Sequence, residues 1–197
     1  MLNVPAKELL KSGALPSIPS PWLTRFAHLI PDGEVLDLAC GSGRHTRLLM
    51  GLGGKQVTAL DVDANALCSL EGCGATLMLC DLEEADAVWP FASQQFSAIV
   101  VTNYLHRPLF PRLLTSLRTD GILIYETFAM GNEQFGRPSN PAFLLRRGEL
   151  LTQMQSVTTL QMDIIAYEDG YVDIPKPAVV QRICARRAGT QVFSQLL

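Results

Sequence analysis

The stretch EVLDLACGSGRHTRLLMGL, residues 34–52, passes from an apolar run through a tight glycine turn into a helix-forming segment. Gly41 and Gly43 flank Ser42 directly after the run. Glycine there permits positive φ and lets a ligand approach the backbone with no Cβ in the way. A helix starting near Arg44 aims its free N–H groups at whatever lies over the turn. Asp37 precedes Gly41 by four residues, near the carboxyl end of the strand. A carboxylate at that point repels a pyrophosphate and suits a positively charged amine. Thr46 stands where the dinucleotide fingerprint wants its third glycine, which removes a close strand–helix contact. The plainer alternative is a strand–turn–helix connection with no ligand.

Working outward, apolar β-prone runs fall at residues 34–38, 56–60, 76–79, 96–102 and 121–126. They are short, rich in Val, Ile and Leu, and alternate poorly, as strands covered on both faces do. Segments 44–50, 64–70 and 108–118 between them suit crossover helices. Two further runs, 160–168 and 179–187, are joined through DGYVDIPKPA, too short for an ordinary crossover helix, so they pair antiparallel. The pattern predicts an α/β fold: a Rossmann-like, doubly wound, seven-stranded sheet, mostly parallel with an antiparallel last strand. Residues 129–147, with GNEQFGRPSNPAF, read as a long loop or lid near the substrate mouth. Residues 148–155 suit a short helix. Residues 1–33 read as a helical lead-in whose WLTRFAHLI lies against the sheet or across the site.

A chain of 197 residues with 48% hydrophobic residues supports one domain, residues 1–197, around one core. The net charge of -3 argues against a nucleic-acid backbone as the main partner. Five cysteines form no C-x-x-C pair and no ligand-like spacing with the three histidines, so no metal site is expected and reduced thiols are. Without a signal-peptide core or a run long enough to span a bilayer, the expectation is a cytoplasmic protein with no membrane contact. The oligomeric state is left open.

Two more carboxylates sit at strand ends. Asp61 closes the second run in VTALDVDAN, where it can accept from both hydroxyls of a ribose. Its alternative is a helix N-cap, for which Asp63 is the better candidate. Asp81 follows the third run in LMLCDLEEA and can accept from an adenine amine with Leu82 against the ring; its alternative is a solvated acidic loop.

In order and spacing, VLDLACGSGRHT, ALDVD, CDLEE, FSAIVVTNYLHRPLF and DGILIYETF resemble the class I S-adenosylmethionine-dependent methyltransferases. Within them, the likeness is to the small bacterial tellurite-resistance-type enzymes, extending to FGRPSNPAFLLRRGELL. The resemblance implies S-adenosyl-L-methionine as cofactor and roles for particular residues. Asp37, Ala39 and the Gly41–Gly43 backbone would hold the methionine amine and carboxylate. Asp61 would take the ribose, Val62 the adenine face, and Asp81 and Leu82 the adenine edge. Asn103 and Tyr104 would line the methionine side and the reaction centre. The Asn/Asp-Pro-Pro-Tyr/Phe stretch of enzymes that methylate amide or base nitrogens is replaced by TNYLHRP, so that class gains no support.

The expected activity is methyl transfer by in-line displacement to a small-molecule acceptor. His106 and Glu126, with Tyr104, are the candidates for acid–base work, against plainer readings as capping or surface groups. Arg107, Arg137, Arg146 and Arg147 suggest an anionic acceptor, and Phe128 and Phe135 with Tyr104 an aromatic wall; loop ion pairs with Glu133 and Glu149 are the competing reading for the arginines. The rival functions are an NAD-dependent oxidoreductase on a similar sheet and an inactive methyltransferase-like scaffold that binds a protein.

Overall fold

The computed structural model describes residues 18–189. Seven strands form one sheet: β1 (Gly33–Leu38), β2 (Lys55–Asp61), β3 (Thr76–Leu79), β4 (Phe96–Thr102), β5 (Leu117–Phe128), β6 (Met162–Val172) and β7 (Ala178–Arg187). Their order is β3-β2-β1-β4-β5-β7-β6. β1 pairs in parallel with β2 and β4, β2 with β3, and β4 with β5, while β7 runs antiparallel to both β5 and β6. This is the doubly wound sheet with a reversed last strand that the apolar runs imply.

Strand alternation sorts the core into two layers. Val35, Val57, Ala98, Val100, Ile122 and Ile124 face one side, under Leu49 of α2 (Arg44–Gly51) and Trp22, Leu23 and Phe26 of α1 (Pro21–Phe26). Leu36, Leu38, Ile99, Val101, Leu123 and Tyr125 face the other, under Phe110, Leu113 and Leu114 of α4 (Phe110–Ser116) and Leu150 of α5 (Glu149–Gln153). With both faces covered, all seven residues of β4 are buried, which is why its sequence does not alternate. α3 (Ala64–Cys68) packs Leu67, with Leu70 just beyond it, against Ala59 of β2.

Several element ends differ from the pattern reading. β5 begins at Leu117, because Asp120 takes φ 62 and the pairing to β4 shifts register between Phe96 and Ala98. The charged segment RTDG therefore bends within a strand instead of ending one. α3 stops at Cys68, where Ser69 turns its hydroxyl to the Ala66 carbonyl at 2.6 Å. α1 is capped by Ser20, whose Oγ accepts from the N–H groups of Trp22 and Leu23.

Segment 129–147 is pinned at both ends, not free. Ala129 bridges Leu145, Asn132 is buried, and its side chain bonds the Pro138 carbonyl and the Val179 N–H. The part of the N-terminal lead-in before Ile18 lies outside the described residues. Among the described residues, no helix is long and apolar enough to cross a membrane, and no group of three or more His, Cys, Asp or Glu side chains is placed to hold a metal ion.

Candidate functional site

β1 and β4 are the neighbours at which the strand order reverses, and their carboxyl ends open the crevice where ligands bind in such sheets. Two non-glycine residues there occupy the left-handed region: Ala39 after β1, φ 54, and Asn103 after β4, φ 57. Asparagine tolerates that conformation, whereas alanine is strained in it. Gly41 and Gly43 continue the turn at φ 53 and 77. A Cβ added at Gly41 would meet nothing within 4 Å, so the backbone there faces open space. The Gly41 N–H donates to Asp61 Oδ2 at 2.7 Å, and the Asp63 N–H donates to Oδ1 at 2.9 Å. Asp61 thus ties the turn after β1 to the end of β2, while Asp63 caps α3.

Asp37 lies beneath the turn, 1% exposed, accepting from Thr46 Oγ1 at 2.6 Å. Burial pushes its carboxyl up to about 7, against the opposing pull of Thr46 and Arg44. Thr46, which counted against a dinucleotide because it was not glycine, is therefore the partner of this carboxylate. A ligand over the turn meets Asp37 as a field from below and not as an open surface group.

A first cavity of about 170 Å³ is lined by Ala39, Asp61, Val62, Asp81, Leu82 and Tyr104 among others. The structure thus brings the two strand ends expected to frame ribose and adenine to one opening, together with the ends of β1 and β4. Asp81 Oδ1 accepts from the Glu83 N–H at 2.8 Å, Leu82 is buried and Val62 is 62% exposed. Burial, with the Glu83 carboxylate beside it, holds the Tyr104 phenol well above its ordinary pKa, so it stays protonated.

A second cavity, about 310 Å³, opens beside it and includes Ser20, Asn103, Glu126, Phe128, Val180 and Arg182 in its wall. Asn103 and Tyr104 are consecutive, so each cavity takes one wall residue from the turn at the carboxyl end of β4. Glu126 is held at both of its oxygens. Its Oε1 accepts from Ser20 Oγ at 2.8 Å and its Oε2 pairs with Arg182 Nη1 at 3.3 Å. Arg182 also pairs with Glu168, which pairs with Arg25, and its guanidinium lies 4.9 Å from the centre of the Trp22 ring.

His45 anchors this wall from inside. It is 1% exposed, its Nε2 accepts from the Ser20 N–H at 3.0 Å, and its Nδ1 lies 3.0 Å from Thr102 Oγ1. Since Nε2 is the acceptor, the proton of the neutral ring sits on Nδ1 and is donated to Thr102. Burial pulls its pKa down to about 4. Ser20, His45 and Arg182 were not among the expected site residues. His45 stands inside the opening motif, but its partners lie 25 and 57 residues away.

His45 and Asp37 make opposed contributions to stability against pH. The depressed His45 favours folding fully above about 6.5, its unfolded value, and less as pH falls toward 4. The raised Asp37 favours folding fully below 3.8 and less as pH rises toward 7. Each slope is roughly 1.4 kcal/mol per pH unit. Between pH 4 and 6.5 they cancel. Substituting His45→Leu uncovers the Asp37 slope, so the stability gap between wild type and variant should widen by roughly 3 kcal/mol from pH 4 to 6.5. Urea titrations of both proteins across that range measure it, and a constant gap rules the buried neutral histidine out.

The other expected residues scatter. His106 lines a separate hollow with Trp89, Pro108 and Leu109, its Nδ1 3.9 Å from Glu83, and faces neither cavity. Arg137 and Phe135 are exposed on the 129–147 segment, with Phe135 against Tyr171 at 5.3 Å. Arg107 is bound to Glu149 through Nε at 2.6 Å and Nη2 at 3.0 Å, and donates to the carbonyls of Ala142 and Leu144. It staples that segment to α5. Of the four substrate candidates, only Phe128 reaches the second cavity. Arg107→Ala should therefore lower stability by about 1–3 kcal/mol, the scale of lost charge-assisted hydrogen bonds, and leave cofactor affinity within twofold. Calorimetric melting and ligand titration of the variant read the two effects separately.

A glycine turn at the switch point, backed by a buried carboxylate and followed by acidic residues at the ends of β2 and β3, is the arrangement of the class I S-adenosylmethionine-dependent methyltransferase fold. Comparison with known proteins agrees with this fold: residues 35–121 match the family described as Methyltransferase domain. The fold is similar to that of an S-adenosylmethionine dependent methyltransferase from Mesorhizobium loti, at 16% identity over 86% of this chain and 99% of that one, TM-score 0.65. It is similar to TehB from Haemophilus influenzae, at 19% identity over 83% and 60% of the two chains, TM-score 0.67. A third likeness is to geranyl diphosphate C-methyltransferase from Streptomyces coelicolor, solved with S-adenosyl-L-homocysteine, at 15% identity over 84% and 74%, TM-score 0.62. A search of curated proteins gives no match. Residues 35–121 thus match the methyltransferase domain and the fold is that of S-adenosylmethionine-dependent methyltransferases, while neither the oxidoreductase nor the inactive scaffold finds support.

Proposed function

We propose that the protein, acting as one methyltransferase domain, transfers the methyl group to a small molecule held in the cavity of Glu126 and Phe128. The observation that carries this reading is that two cavities of different chemistry take consecutive residues, Asn103 and Tyr104, into their walls at the end of β4. The first has the chemistry of the cofactor's adenosine end. Its turn has room above Gly41, and its rim carries Asp61 and Asp81 where hydroxyls and an amine need acceptors. A carboxyl pushed up to about 7 by burial lies beneath, suited to an ammonium group. When bound, S-adenosyl-L-methionine supplies an activated methyl group.

On this reading Asp37 acts on the amine from below the turn, with Ala39, Gly41 and Gly43 offering backbone. Asp61 takes the ribose, Val62 and Leu82 the adenine faces, and Asp81 its amine. Asn103 and Tyr104 form the passage between cofactor and acceptor. Holding donor and acceptor in line contributes on the order of 7–11 kcal/mol to catalysis, so positioning is the main task of these residues. Glu126, fixed by Ser20 and Arg182, orients an acceptor O–H or N–H and receives its proton. It replaces His106 in that role because it faces the cavity.

The second cavity carries more basic than acidic side chains, which supports an acceptor bearing negative charge. The mildly acidic chain as a whole argues against nucleic acid. Five unpaired cysteines suit a reducing, cytoplasmic setting. The experiment is isothermal titration of wild type and Glu126→Gln with S-adenosylhomocysteine, followed by a methyl-transfer screen of small molecules. Equal binding by both proteins, with turnover lost only in the variant, supports the assignment. Turnover unchanged in Glu126→Gln would remove Glu126 from the chemistry.

A further inference from the structure

The second cavity is divided by chemistry. One part of its wall is apolar, formed by Phe128, Val180 and Ile174. Its charged part contains Arg44, Lys176, Arg182 and Glu126. These charges are not equivalent. Arg182 and Arg25 are matched by Glu126 and Glu168 in one ion-paired group. Arg44 and Lys176 have no acidic partner within ion-pair distance among the described residues. Arg44 donates only a long bond, 3.4 Å, to the Ile18 carbonyl, and its field also reaches Asp37. Lys176 sits in the β6–β7 connection between Pro175 and Pro177, where fixed φ values limit its movement.

We infer that Arg44 and Lys176 bind an oxyanion head, carboxylate or phosphate, of an acceptor whose apolar body lies against Phe128, Ile174 and Val180. This rests on the methyl-acceptor reading of the cavity and specifies it. The size agrees with the chemistry: about 310 Å³ admits a body the size of one substituted ring and not a polymer chain. Each of these two cations contributes a charge-assisted hydrogen bond, worth about tenfold or more in affinity when its partner is an anion. The apolar wall adds binding that a bare anion cannot use. The arginines expected from the sequence to hold the anion are replaced by a helix-start arginine and a turn lysine brought together by the fold.

The test is titration of the full chain with 3-phenylpropionate, phenyl phosphate, 3-phenylpropionamide and acetate, each with and without S-adenosylhomocysteine. Trp22, packed on Arg182, provides a fluorescence readout. At least one aromatic anion should bind tenfold or more tightly than the amide, and than acetate. Which of the two does so identifies the head group. Lys176→Met should weaken that anion about tenfold, leave the amide unchanged and leave S-adenosylhomocysteine affinity intact. If no aromatic anion outperforms the amide, or Lys176→Met weakens anion and amide alike, the inference is overturned. Failure of S-adenosylhomocysteine itself to bind would instead count against the methyltransferase reading, since the titrations without it report the anion site independently.

Discussion

Gly43→Ala is expected to lower the stability of the protein by about 2–4 kcal/mol, a sum of left-handed backbone strain and overpacking. Gly43 has φ 77, and an added Cβ would lie 2.1 Å from Leu70 Cδ2 and 2.6 Å from both Cδ1 and Cγ. Leu70 is 1% exposed and packed with Ala59 and Leu67, so it has no empty space to enter. The loss should appear as a fall in Tm of roughly 5–15 °C for a chain of this size. Gly41→Ala is the informative contrast. Its φ is 53, but no atom lies within 4 Å of the added carbon, so only backbone strain remains. That variant should melt within a few degrees of wild type and lose cofactor affinity instead, because the methyl group projects where the ligand approaches. Equal melting temperatures for the two variants would show that Leu70 does not confine the turn.

The second large effect is on binding. Asp61→Ala should weaken S-adenosylhomocysteine by about 100- to 1,000-fold, the scale of two charge-assisted hydrogen bonds to a ribose. Part of the loss comes from within the protein, since Asp61 also receives the Gly41 N–H and holds the glycine turn against β2. Asp63→Ala separates these contributions from general damage to the helix that follows. Asp63 caps α3 through the N–H groups of Asn65 and Ala66 and faces neither cavity. Its loss should cost about 1 kcal/mol of stability and leave affinity unchanged. Binding of S-adenosylhomocysteine to Asp61→Ala within threefold of wild type would take Asp61 out of the ligand site.

Much of this arrangement is written locally. Seven consecutive buried residues in β4 announce a strand covered on both faces, and the spacing of Asp37, Gly41 and Gly43 announces a turn built for a ligand. Asp61 and Asp81 follow because strand ends in a parallel sheet share one edge, so a strand prediction is also a placement. What could not be read depends on distant partners. Glu126 looks like a free carboxylate in YETF until Ser20 and Arg182 arrive from 106 and 56 residues away. Arg107 looks like a substrate ligand until Glu149 reaches it across 42 residues. Lys176 gains meaning only when the β6–β7 hairpin folds back beside the start of α2. Long polar side chains take their roles from what they meet, and their own neighbours in sequence do not reveal it. The bend at Asp120 was hidden for another reason: a charged turn-like segment can sit inside a strand when a positive φ absorbs the extra residues.

The central claim is that the turn after β1 holds an amino-acid-bearing sulfonium cofactor and not a dinucleotide. Thermal-shift titration with S-adenosylhomocysteine and with NAD tests it in a single measurement, because a ligand that binds only the folded state raises Tm with concentration. S-adenosylhomocysteine should raise Tm in a saturable manner, and the rise should vanish in Asp61→Ala, while NAD leaves Tm unchanged. A rise with NAD and none with S-adenosylhomocysteine would contradict the account.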